Sequence, residues 1–78
     1  MGGEQVASVA KIVEKMKRQP NGIRFDEAAK VLEHNGYGFV RTKGSHWQFR
    51  NEAGDVLTVP YKKPTIDKHY VGEILKRI

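Results

Sequence analysis

Apolar residues recur at helical spacing near the start of the chain. Val6, Val9, Ala10, Val13 and Met16 fall at helical spacing, while Lys11, Lys15 and Arg18 turn elsewhere. The pattern predicts an amphipathic helix over about residues 5–18, ended by Pro20-Asn21-Gly22. A second stripe of Phe25, Ala28, Ala29 and Leu32 predicts a helix over about 25–35. Asp26 and Glu27 suit its electropositive first turn, and Asn35-Gly36 supplies a left-handed stop. Arg24 stands at the N-cap, where a guanidinium cannot accept the orphan amide hydrogen bonds, so this end is expected to be weak. Beyond Gly36 the period shortens. Strands are expected at about 37–42, 46–50 and 56–60, with a tight glycine turn at Gly44-Ser45 and a hairpin loop at Asn51–Asp55. Pro60 caps the third strand and suits a sheet edge. Tyr61-Lys62-Lys63-Pro64 reads as a basic loop. Val71, Ile74, Leu75 and Ile78 predict a closing helix over about 66–77, capped by Thr65 or Asp67.

This order makes a single α+β domain over residues 1–78, with no linker to divide it. Two layers are expected: a three-stranded antiparallel sheet with helices on one face and the other face open. Side chains alternate along a strand. Trp47 and Phe49 therefore share one face, expected to be the core, and His46, Gln48 and Arg50 share the open one.

Composition narrows the chemistry. With no cysteine, neither a disulfide framework nor a cysteine-based zinc site is possible. The three histidines are scattered and lack a neighbouring carboxylate pair, so neither a metal nor another cofactor is expected. No apolar run reaches membrane-spanning length, and no signal-peptide core opens the chain. Gly2 has Val6 where a myristoylation signal needs Ser or Thr, and Gly2-Gly3 reads as a flexible lead. A soluble cytoplasmic protein without a membrane partner is expected. The net charge is +5 and is unevenly placed. Residues 1–36 hold six Lys/Arg against five acids, and residues 37–78 hold eight against four. The asymmetry favours an anionic partner, nucleic acid first and an acidic protein second, over charge serving solubility alone.

The basic half also carries the candidate chemistry. His46 opens a strand beside Arg41, Lys43 and Arg50. Positive charge holds a phosphate, and an imidazole, with a reference pKa of about 6.5, can move a proton near neutral pH. Ser45 and His46 are adjacent and diverge in a strand, which argues against a serine-hydrolase dyad. Ser45 is expected to satisfy turn backbone or to donate to a phosphate. Lys62 and Lys63 are candidates for gripping backbone phosphates. Trp47 could stack on a base, but its shared face with Phe49 favours the core. His34 reads as a cap at a helix C-terminus. His69 reads as solvated, or at most as bordering the site.

The run Arg41-Thr-Lys-Gly-Ser-His46-Trp-Gln-Phe49, followed by Leu57-Thr-Val-Pro60 and a closing helix, resembles the HicA toxins of toxin–antitoxin systems. The resemblance covers about residues 23–78 and leaves 1–22 as an N-terminal helical extension. It implies a fold like that of double-stranded-RNA-binding domains, helix, three strands, helix, with an extra N-terminal helix. It also implies a ribonuclease acting on mRNA with His46 as the catalytic residue, and a HicB antitoxin as partner. The expected reaction is metal-independent attack by a ribose 2′-hydroxyl on the adjacent phosphate of single-stranded RNA. Arg41, Lys43 or Arg50 would stabilise the developing charge. Lys62, Tyr61 or water would return the second proton. A monomer is expected when the protein is free. Two alternatives use the same surface without catalysis: an RNA-binding module, and a protein whose open sheet face receives another chain.

Overall fold

The computed structural model describes residues 2–78, with side chains from Ser8 onward. The elements run α1 (Gly2–Arg18), a 3-10 turn (Pro20–Gly22), α2 (Phe25–His34), β1 (Gly38–Lys43), β2 (His46–Arg50), β3 (Val56–Pro60) and α3 (Lys68–Arg77). α1 starts at Gly2, so Gly2-Gly3 belong to the helix and do not form a flexible lead. Met1 and the side chain of Val6 lie outside the described residues.

α2 owes its ends to two local devices. At its start the Glu27 carboxylate accepts a hydrogen bond from the Arg24 backbone N–H at 2.9 Å. That is half of a capping box, the half that needs only the backbone N–H of the N-cap residue and not its side chain. Burial pushes the Glu27 carboxyl up. The Arg24 N–H and the Lys15 ammonium, 3.1 Å away, outweigh it and hold the group below the ordinary carboxylate range. The same ion pair ties α1 to α2. At the other end Gly36 takes φ +88. Its N–H reaches the Glu33 carbonyl, and the Tyr37 N–H reaches Leu32. This Schellman closure needs the left-handed residue, which glycine adopts without strain. Asn35 adds a bond from Nδ2 to the Val31 carbonyl at 2.8 Å. The side-chain cap is therefore Asn35, while the exposed His34 contributes no hydrogen bond to the helix end. At α3 the cap is Asp67, which accepts from the His69 N–H at 2.7 Å, and not Thr65.

The sheet is antiparallel in the order β1-β2-β3, so Pro60 lies on an edge strand as its missing N–H requires. Phe49, Leu57 and Val59 point to the helices and join Val9, Met16, Ile23, Val31, Leu32, Val71 and Ile74 in one buried cluster. α2 lies against β1, and α1 packs on α2, α3 and the 3-10 turn. Two backbone bonds fasten the connections: Ile66 N–H to the Ile23 carbonyl at 2.8 Å, and Tyr61 N–H to the Ser45 carbonyl at 2.6 Å.

A polar network closes the far end of the sheet. The Tyr37 hydroxyl donates to Asp55 at 2.6 Å, Arg77 Nε donates to the same carboxylate at 2.8 Å, and Arg77 Nη1 reaches Glu73 at 2.8 Å. The Tyr37 bond and the Arg77 bond hold the Asp55 carboxyl below its ordinary value, and the Asp55 bond raises the Tyr37 phenol.

Candidate functional site

The site is built from the β1–β2 hairpin. Gly44 takes φ +61 while Ser45 stays at negative φ. Positive φ at the first of two turn residues alone is the dihedral signature of a type II′ hairpin. It sets Lys43 opposite His46. Further from the turn, β1 does not keep strict alternation. Phe39 pairs with Phe49, yet Arg41 pairs with Gln48, leaving Val40 as an extra residue in a bulge. Phe39 packs its ring on Trp47 and Phe49, on the helix side. Without the bulge, and with the turn holding Lys43 opposite His46, Arg41 would lie on that side. With it Arg41 and Lys43 share the open face with His46 and Gln48.

Arg41, Lys43, His46, Gln48 and Thr58 line one hollow of about 160 Å³ on the open face. Gln48 faces Thr58 across β2–β3, and His46 faces Pro60. His46 is solvent-exposed. The three strands carry no Asp or Glu. Among the described residues no ion pair occupies Arg41, Lys43, Arg50, Lys62 or Lys63. Nor do any three His, Asp or Glu among them stand where they would hold a metal ion. The hollow therefore offers two uncompensated cations, an accessible imidazole, and an amide and a hydroxyl for hydrogen bonding. That set can bind an anion and move a proton.

The other residues singled out from the sequence lie elsewhere. Arg50 shares the open face but sits four residues along β2, about 13 Å from His46 at strand rise. Ser45 is exposed in the turn at the rim, and its carbonyl, not its hydroxyl, takes the Tyr61 N–H. Lys62 and Lys63 line a separate hollow with Arg24, Phe25 and Tyr61 at the start of α2. His69 is exposed on α3, with its ring against Tyr70. Trp47, expected in the core beside Phe49, is only half-buried. Phe49 is 1% exposed, whereas Trp47 packs among Phe25 and Phe39, with their ring centroids 5.0 and 4.9 Å away. Gln48 and Thr58 are the residues sequence reasoning left out. Alternation gave the signal for Gln48, and only the β2–β3 register reveals Thr58.

No described helix is long and apolar enough to cross a membrane. A sequence model described as the HicA toxin of bacterial toxin–antitoxin systems matches residues 25–78, which is more than half of the chain. Searches of curated proteins and of solved structures returned no significant match. The matched segment opens at α2 and takes in all three strands, the hollow and α3. The chain belongs to the HicA toxin family of bacterial toxin–antitoxin systems, a membership that implies an antitoxin partner.

Proposed function

We propose that the protein is a metal-independent endoribonuclease that cleaves mRNA in the cytoplasm, with His46 as its catalytic residue. The observation that carries this reading is the exposed His46 imidazole sharing one carboxylate-free hollow with Arg41 and Lys43. His46 takes the proton of a ribose 2′-hydroxyl, and the freed oxygen attacks the neighbouring phosphorus. The bond from phosphorus to the 5′-oxygen breaks, and that oxygen takes a proton from water. The products are a 2′,3′-cyclic phosphate and a 5′-hydroxyl end. Arg41 and Lys43 face the negative charge that grows on the phosphoryl oxygens. Gln48 and Thr58 orient the same group. Because the nucleophile is part of the substrate, the step needs no metal-bound water. Single-stranded RNA fits best, since a flexible backbone can bring the 2′-oxygen in line. Ser45 and Arg50 contact phosphates on either side, and Lys62 and Lys63 hold the strand further along.

The antitoxin in this reading is HicB-like, acidic where it meets the open face, and the free toxin is a monomer. The charge asymmetry supports both RNA and such a partner. The test is His46→Ala. The side chain is exposed, so the variant keeps its fold, and RNA cleavage is expected to fall by about 10²- to 10⁴-fold. DNA stays intact with either protein. Persistent cleavage in the variant overturns the assignment. RNA that binds the parent protein but is never cut turns the reading into a binding module.

A further inference from the structure

We propose that a row of four aromatic rings on the helix side of the sheet is a stacking subsite for an unpaired nucleobase flanking the cleaved phosphate. The inference rests on the RNA reading above and adds a second contact surface to it. The row runs Tyr61, Phe25, Trp47, Phe39, with successive ring centroids 4.9, 5.0 and 4.9 Å apart. Its middle members are half-buried, but its ends are open: Phe39 is 48% exposed and Tyr61 39%. Large apolar rings left in water at both ends of a packed row are costly to hydrate and want a flat apolar partner.

The surroundings say which partner. Lys62 and Lys63 lie beside Tyr61 and Phe25 in a hollow of about 300 Å³. Its one carboxylate, Asp26, is already 3.2 Å from Arg24 Nε, so the rim stays cationic. Aromatic faces interleaved with cations fit a strand that alternates planar bases with phosphates. They fit an acidic peptide less well, because it brings charge without rings. The position also fits. Trp47 follows His46 directly, Tyr61 follows the Pro60 that faces His46, and the Tyr61 N–H is bonded to Ser45. A strand with one phosphate between Arg41 and Lys43 passes over the two-residue Gly44-Ser45 turn and meets the rings on the other side.

Trp47 is the only tryptophan, so its fluorescence reports on the row. The probe is a single-stranded RNA oligonucleotide with 2′-O-methyl riboses, which cannot be cut, compared with an abasic oligomer of equal length. The methylated oligonucleotide is expected to quench Trp47, and the abasic one to leave it unchanged and to bind about tenfold or more weakly. Phe39→Leu and Tyr61→Leu keep apolar bulk and remove the ring, and each is expected to weaken binding roughly tenfold while keeping the circular dichroism of the folded parent. Equal affinity in both variants, with Trp47 unquenched and natural RNA still cleaved, overturns the subsite and leaves the ribonuclease reading standing. The same result is what a patch reserved for a protein partner gives. Absence of both binding and cleavage overturns the two readings together.

Discussion

Arg41 lies opposite Gln48 in the β1–β2 ladder, not opposite Trp47, where an unbroken alternation from Phe39 would place it. The difference is the single extra residue, Val40. A one-residue slip exchanges the two faces of a strand, so this bulge decides whether Arg41 lies with the imidazole or with the aromatic rings. Its neighbours at the turn are already fixed, because the Gly44-Ser45 turn holds Lys43 opposite His46.

The bulge yields a matched pair of deletions. Removing Val40 takes out the extra residue and leaves every other pairing in place, so Arg41 stays on the open face. Removing Thr42 shortens β1 equally but seats Val40 opposite Gln48 and turns Arg41 toward Trp47. RNA cleavage is expected to stay within a few-fold of the parent for the first and to drop about 100-fold for the second, the scale of losing one charge-stabilising donor. Cleavage rates at saturating RNA, with folding checked by circular dichroism, decide it. Equal losses in the two would show that the facing of Arg41 does not matter.

Arg41, Lys43 and Arg50 share a face but not a hollow, so their roles separate. Each phosphate-contacting cation contributes about 0.7 to the slope of log affinity against log salt on a single strand. Lys43→Gln and Arg50→Gln are both expected to lower that slope by about 0.7. Only Lys43→Gln, beside His46, is expected to slow cleavage of bound RNA as well. An Arg50→Gln variant that bound normally and cut slowly would move the reacting phosphate toward the other end of β2.

The fold was largely legible because its signals are local. Helical spacing, Gly36, Gly44 and Pro60 each act within a few residues, and the elements fall close to where those residues place them. Alternation in β2 also separates His46 from Trp47 without any tertiary knowledge. What stayed hidden depends on partners distant in the chain. Nothing about Val40 marks a bulge, since that is set by two registers that must both be satisfied. Trp47 looks like a core residue beside Phe49, but its ring lies against Phe39, which is itself 48% exposed. Lys62 and Lys63 read as a phosphate-gripping loop, with Lys62 among the options for the second proton donor, because they follow the strand that pairs with β2. The loop instead carries them to the start of α2. Arg24 promised a weak helix end, and Glu27, three residues on, recovers half of the missing cap.

The Tyr37–Asp55–Arg77 network predicts how stability depends on pH. The native pKa of Asp55 is depressed, chiefly by the Tyr37 hydrogen bond and then by Arg77. Its contribution is therefore complete above the ordinary aspartate value of about 3.9 and is lost as pH falls through the lower native value. Tyr37 is shifted the other way, up, by its bond to Asp55. Its contribution is complete below the ordinary phenol value of about 10 and disappears as pH rises through the higher native value. Asp55→Asn is thus expected to lower the melting temperature at neutral pH, with the gap to the parent closing below about pH 3.9. In the same variant Tyr37 is expected to ionise at lower pH, which ultraviolet absorbance of the phenolate measures. A gap that persists unchanged into strong acid would mean that the carboxylate charge contributes nothing.

The contribution of α1 can be measured at Met16. The matched family segment begins at residue 25, yet Met16 is 0% exposed and belongs to the same cluster as Ile23, Leu32 and Ile74. In folded proteins most helical stability comes from packing of an amphipathic face rather than from propensity, so α1 depends on that burial. Met16→Ala is expected to cost about 2–5 kcal/mol, against a total of about 5–15 kcal/mol for a typical domain. Ala10→Ser, on the exposed side of the same helix, is expected to change stability by less than about 0.5 kcal/mol. Urea titration followed by Trp47 fluorescence measures both, because Trp47 sits on the sheet and senses unfolding of the whole domain rather than fraying of α1. A Met16→Ala midpoint equal to that of the parent would show that the sheet and the remaining helices hold together without α1. A large loss would make the N-terminal helix an integral part of this chain's core, although it lies outside the matched family segment.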